Sequence, residues 1–209
     1  VDKPAISIEQ VRQALALPDF DAAQSQRLMA PAQRALHRPS KQTEVKLSAV
    51  LVLIFPINGM LSLVLMKRTE YPGVHSGQIS FPGGRREEHE ELLDTALREA
   101  QEELGINRQQ LELLGQLAPI YVPPSNFEIH PFVAYTDTHP IWIPERREVA
   151  AVIEMPLGYL FEAELKKTEV RTVRGVTFEA PFYDIKGYKV WGATAVMLSE
   201  FEGRLRAVM

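Results

Sequence analysis

Cysteine is absent from the 209 residues, and that removes three chemistries at once: a disulfide framework, a thiolate zinc site and a cysteine nucleophile. Excess charge is missing as well, since 23 basic against 27 acidic residues leave a formal charge of −4. Such a chain lacks the basic surface of a general nucleic-acid binder, so no nucleic-acid partner is expected. An anionic substrate is not excluded, because a bound divalent cation can invert the local field. Repeats and low-complexity tracts are also absent. What the chain does have is apolar surface: 45% hydrophobic against 24% charged residues is enough for a core.

The first residues, VDKPAISIEQ, lack the basic and apolar regions of a signal peptide, and RLRAVM at the other end carries no organelle address. A cytoplasmic location is the expectation. From Leu47 to Met66 runs an uncharged stretch long enough to span a bilayer. Two apolar runs around Asn58-Gly59 read instead as a β-hairpin, because Asn-Gly supplies the two positive-φ positions of a type I′ turn. Pro56 would also cost a helix one hydrogen bond. The hairpin is the reading adopted, without a membrane.

Residues 5–30 read as helical, with Ser7 as N-cap and a second short helix around Asp21 to Met29. Residues 31–45 read as a connector, so residues 1–45 form an N-terminal helical extension, expected to serve packing or a homodimer. The domain proper is expected over 46–209. It opens with the hairpin and continues through a Gly/Pro-rich turn region, Pro72 to Gly84. A helix follows from about Glu90 to Leu104, ended by Gly105 in a left-handed cap. Strands are expected over Leu111 to Val122, Phe127 to Asp137, Val149 to Met155, Val176 to Ile185 and Tyr188 to Trp191, then a last helix from Ala193 to Phe201. This order suggests a mixed α/β fold.

The chemistry concentrates in Phe81 to Ile106, FPGGRREEHEELLDTALREAQEELGI. On a helix, Leu93, Leu97, Ala100 and Leu104 make an apolar stripe, while Glu99, Glu102 and Glu103 share an arc of about 100° on another face. Like charges at these spacings repel, and hard cations such as Mg²⁺ or Mn²⁺ would relieve that by taking carboxylate oxygens. Arg98 can hold one carboxylate through a bidentate contact.

Gly84, five residues, Glu90, seven residues, Arg98-Glu99, Ala100, Gln101, Glu102-Glu103, Leu104, Gly105 and Ile106 match the Nudix box at every fixed position. The chain therefore resembles the Nudix hydrolases. The resemblance implies an α/β/α sandwich with a mixed sheet, and hydrolysis of a nucleoside diphosphate joined to another moiety with Mg²⁺ or Mn²⁺. Glu99 and Glu103 would be the main metal ligands, and Glu102 a further ligand or the water-activating base. The carbonyl of Gly83 would complete the metal shell, with Gly84 letting the backbone approach. Arg98 would orient a box glutamate. Glu90 is read as structural, favoured at the positive helix N-terminus.

Upstream, LVLMKRTEYPGVHSGQISFPGG (Leu63 to Gly84) is similar to the extended motif of coenzyme A pyrophosphatases. Leu65, Arg68, Gly77 and Phe81-Pro82-Gly83-Gly84 match. Val64, Met66 and Thr69 depart from it, and Gly73 stands where the motif has a second Arg. The resemblance implies coenzyme A or its acyl derivatives as substrate, giving adenosine 3′,5′-bisphosphate and 4′-phosphopantetheine. ADP-ribose, NADH and dinucleotides are the alternatives, and a non-catalytic nucleotide sensor is the reading from another class. Glu148 is a candidate fourth carboxylate. Arg68, His75, Gly84 and Arg85 are candidates for the small-molecule nucleotide substrate, and Tyr121 and Phe127 for stacking an adenine.

Overall fold

The computed structural model describes residues 4–31, 45–70, 76–173 and 175–209. Two helices, α1 (Ile8–Leu15) and α2 (Ala22–Arg27), occupy the N-terminal part. The two helices read over 5–30 are both present, separated by the Leu17-Pro18 step and by Asp19, whose φ is 55°, and the second is shorter than the span read to Met29. Ser7 caps α1 in a full capping box with Gln10, two donors satisfied reciprocally. His75 and Gly73 lie outside the described residues.

The hairpin forms as read. Strands β1 (Lys46–Ile57) and β2 (Met60–Arg68) pair antiparallel, Ile57 against Met60. Asn58 and Gly59 turn at φ 49° and 78°. Among the described residues no helix is long and apolar enough to cross a membrane.

Two short strands arise inside the Gly/Pro-rich region, β3 (Ile79–Ser80) and β4 (Gly83–Arg85). Helix α3 follows (Leu92–Leu104), starting two residues later than read, with Gly105 left-handed at its end. The segment read as Leu111 to Val122 divides into β5 (Glu112–Gln116) and β6 (Ile120–Val122). At the break, Leu117-Ala118-Pro119, the Leu117 amide still bonds the Pro131 carbonyl, while the Ala118 amide turns away to the Glu200 carboxylate and Pro119 has no amide to give. Next come β7 (Phe127–Tyr135), β8 (Val149–Pro156), β9 (Lys166–Val173), β10 (Val176–Ile185), β11 (Tyr188–Trp191) and α4 (Ala193–Arg206). Strand β9 escaped the sequence reading because KKTEVRTV has no apolar run, and its alternation sets Thr168, Val170 and Thr172 against Lys167, Glu169 and Arg171, with a single apolar side chain among them. Helix α4 outruns its expected end at Phe201, carried by Glu200–Arg204 and Glu202–Arg206 pairs at i, i+4.

The main sheet is mixed, in the order β3-β2-β1-β7-β5, with β4 on β1, β6 on β7 and β8 on β2. β1 and β7 run parallel. Strands β11-β10-β9 form a second, antiparallel sheet. One face of the main sheet (Ala49, Leu51, Leu53, Phe55, Val64, Met66) packs under Ala96, Ala100 and Leu104 of α3. The other face (Val50, Val52, Ile54, Leu63, Leu65) shares a core with α1 and α4. Helices on both faces make the α/β/α sandwich. The stripe on α3 is rotated from the one read: Leu93 and Leu97 are only partly buried, while Ala96 and Thr95 are fully so. Alanine lets the helix axis come close to the sheet, and the same rotation buries Glu103.

The N-terminal helices reach the sandwich through a buried polar cluster. Glu200, fully buried, accepts from Gln26 Nε2 at 2.8 Å, from the Ala118 amide at 3.0 Å and from Arg204 Nε at 2.9 Å. Arg204 also lies over the Phe20 ring, 4.6 Å from its centroid.

Candidate active site

The register of β4 on β1 sets the site's floor. Ala49 lies opposite Gly84, and Val50 opposite Gly83. Because side chains alternate across a strand, Gly84 faces α3 while Gly83 and Arg85 face the other way. A Cβ at position 84 would collide with the Glu99 carboxylate, and one at position 83 with the Ala49 carbonyl and Val50. The glycine pair therefore lets the acidic face of α3 rest directly on backbone.

Two arginines organise the acids. Arg98 grips Glu90 through Nε to Oε1 at 2.9 Å and Nη2 to Oε2 at 3.1 Å. Its Nη1 then donates to Glu99 Oε1 at 2.8 Å and to Glu102 Oε2 at 3.2 Å. The bidentate contact read for Arg98 thus goes to Glu90, which precedes α3 and also accepts from Thr95 Oγ1 at 2.8 Å and the Glu87 amide at 3.2 Å. These bonds hold the Glu90 carboxyl at a pKa of about 2, well below the usual carboxylate value, as expected when donors favour the charged form. Glu90, read as structural at the helix N-terminus, serves as the anchor of Arg98.

Glu103, 1% exposed, is held differently. One carboxylate oxygen accepts from the Gly83 amide at 2.7 Å, the other from Arg68 Nη2 at 3.2 Å. The same Nη2 donates to the Gly83 carbonyl at 3.0 Å. Burial pushes the Glu103 carboxyl up to about 7 against the pull of Arg68 and the Gly83 amide, and the charges of Glu99 and Glu148 add to the rise. Glu99 is raised as well, first by burial and then by Glu102 and Glu148, with Arg98 opposing. Glu99, Glu102, Glu103 and Glu148 are thus close enough to feel one another's charge, although Glu148 stands on the loop before β8. That loop is pinned to the C-terminus of α3 by the Glu145 amide on the Glu103 carbonyl, 2.9 Å, and to the end of β2 by the Thr69 amide on the Glu148 carbonyl, 2.9 Å.

The structure therefore brings Glu99, Glu102, Glu103, Glu148, Arg98, Arg68, Gly83 and Gly84 together. Arg85 contributes its carbonyl to Arg98 at 3.3 Å, while its side chain leaves on the opposite face of the sheet. Tyr121 is 3% exposed with its hydroxyl on Asn126, so it offers no stacking surface, and Phe127 carries Lys46 over its ring. Sequence reasoning missed the Arg68–Glu103 pair, which joins residues 35 apart; the Arg in the motif was the available signal, but not its partner.

As donors, carboxylates and a peptide carbonyl are the oxygens a hard divalent cation prefers. The glycine cradle under Glu99, which any side chain would fill, fits the same purpose. Among the described residues no three acids or histidines converge on one point as they stand; Arg98 and Arg68 occupy oxygens of Glu99, Glu102 and Glu103.

The NUDIX domain model matches residues 45–176 of the chain. Nudix hydrolase 3 of Caenorhabditis elegans is 29% identical over 171 residues, covering 73% of this chain and 70% of that protein. Nudix hydrolase 15, mitochondrial, of Arabidopsis thaliana is 31% identical over 161 residues, covering 73% of this chain. The chain spans only 56% of the length of that relative. Among solved structures, the MutT protein of Methanosarcina mazei Go1 superimposes with a TM-score of 0.52 at 16% identity, over 80% of this chain and 97% of that one; this likeness concerns the fold.

Proposed function

The chain belongs to the NUDIX domain family, and from that premise we propose that it hydrolyses a nucleoside diphosphate derivative with the help of Mg²⁺ or Mn²⁺. The observation that carries the reading is the Glu99 carboxylate seated on Gly84, with Glu102 and Glu103 on the same helix. Glu99, Glu103, the Gly83 carbonyl, Glu102 and Glu148 would hold the cation. When bound, it supplies positive charge that neutralises the diphosphate and acidifies water. The rest belongs to the protein's own groups. Glu90 fixes Arg98, and Arg98 fixes the headings of Glu99 and Glu102. Glu102, with 58% of its side chain exposed, is the acid best placed to take a proton from attacking water. The full set of box carboxylates favours turnover over a role as a nucleotide sensor.

Coenzyme A and its acyl derivatives are the proposed substrates. Leu65, Arg68, Gly77 and Phe81 to Gly84 support this reading, and Gly73 in place of the second Arg is its weakest position. The test is a hydrolysis panel with Mg²⁺ or Mn²⁺ across coenzyme A, an acyl derivative, ADP-ribose, NADH and diadenosine polyphosphates. The expected products from coenzyme A are adenosine 3′,5′-bisphosphate and 4′-phosphopantetheine by mass spectrometry. Turnover of ADP-ribose with none of coenzyme A would overturn the substrate and keep the reaction class. Binding without turnover would overturn the class.

A further inference from the structure

Arg68 and Arg98 both hold box carboxylates, yet their situations differ. Arg98 has an anchor outside the acid cluster, the two oxygens of Glu90. It can lose Glu99 or Glu102 and stay in place. Arg68 has no carboxylate partner other than Glu103 among the described residues. Its Nη2 reaches both the Glu103 carboxylate and the Gly83 carbonyl, at 3.2 and 3.0 Å. These are two of the oxygens that the metal-dependent reading assigns to the cation.

A Mg²⁺-sized ion draws its oxygens to about 2.0–2.1 Å. A guanidinium nitrogen already seated on the same two oxygens places a positive charge within a few ångströms of that ion. The geometry points to Arg68 as an exchangeable counter-ion: it pairs with Glu103 and the Gly83 carbonyl in the metal-free protein, and releases both when a divalent cation binds. Without such a partner the buried carboxylate would stand as an uncompensated charge, which is costly. With it, the site stays closed and ordered at the expense of metal affinity. This inference rests on the metal-dependent reading above.

The test is Mn²⁺ binding by electron paramagnetic resonance, in mildly alkaline buffer, on the full chain and on Arg68→Met. Removing one positive charge about 5 Å from a divalent ion is worth about tenfold in affinity at the dielectric of water. Arg68→Met is therefore expected to bind Mn²⁺ about tenfold more tightly, and Arg68→Lys, with one donor group and a shorter reach, to fall between. A merely structural role would weaken binding or leave it unchanged, and either result overturns the inference. Should Arg68→Met fail to fold, the guanidinium nitrogen spectrum of the unaltered protein carries the test. The Arg68 signals, slowly rotating without metal, are expected to shift and broaden on adding Mg²⁺; signals that do not move overturn the exchange. Unaltered protein that neither binds Mn²⁺ nor hydrolyses any diphosphate would instead sink the metal-dependent reading itself.

Discussion

Glu90 and Arg98 face each other through two parallel hydrogen bonds, 2.9 and 3.1 Å long, and this pair aims two of the three box carboxylates. An acid that stands before α3 thereby sets the direction of two acids on it, Glu99 and Glu102.

Glu90→Gln tests that relationship through pH. The folded-state pKa of Glu90, about 2, lies below the ordinary 4.5. The stabilisation is therefore complete above pH 4.5 and is lost as pH falls to about 2. The variant should melt roughly 3 °C lower near neutrality, and the gap should close as the solution is acidified. Differential scanning fluorimetry across pH reads this; a gap that stays constant down to strongly acidic pH would show that the carboxylate's charge is not what matters.

Gly84→Ala tests the cradle. The new methyl group would meet the Glu99 carboxylate, forcing it off the backbone. Displacing a reacting group by about 1 Å costs on the order of 100-fold in rate, so kcat should fall by about that factor. The melting temperature should change little, since Glu99 can turn toward solvent. Undiminished kcat would mean that the seat of Glu99 on position 84 is incidental.

Glu103→Gln keeps an acceptor for the Gly83 amide and removes the charge. Its kcat should fall by about 10³-fold, equivalent to about 4 kcal/mol of transition-state stabilisation. The fold should survive, because a neutral side chain no longer bears the cost of burying a carboxylate. The rise in melting temperature on adding Mg²⁺, expected of the unaltered protein, should disappear.

Glu200→Ala tests how the N-terminal helices are held. The substitution leaves Arg204, Gln26 and the Ala118 amide without their common acceptor. Breaking a buried charged pair costs about 3–5 kcal/mol, which corresponds to a loss of roughly 10 °C in melting temperature. Limited proteolysis should then cut first near α1 and α2. A loss of under about 1 kcal/mol would show that apolar contacts alone dock the helices.

The sequence was sufficient wherever a signal is local. Asn58-Gly59 dictates a turn through its own dihedral angles, Gly105 ends α3 for the same reason, and the spacing of Glu99, Glu102 and Glu103 places them on one helical face whatever surrounds it. Strand β9 and the rotation of α3 were not legible. β9 is held by β10, residue against residue from Lys166–Tyr183 to Val173–Val176, not by an apolar pattern of its own. The face of α3 that becomes buried was chosen by how near Ala96 and Ala100 can bring it to β1.

The chain alone thus determined the hairpin, the acidic helix and the family they mark, because backbone preferences and helical periodicity act within a few residues. Tertiary structure decided which arginine serves which acid, and that Gln26 meets Glu200 across 174 residues. Such pairings depend on where separate elements cross, and burial then fixes their strength by removing the water that would otherwise screen each charge.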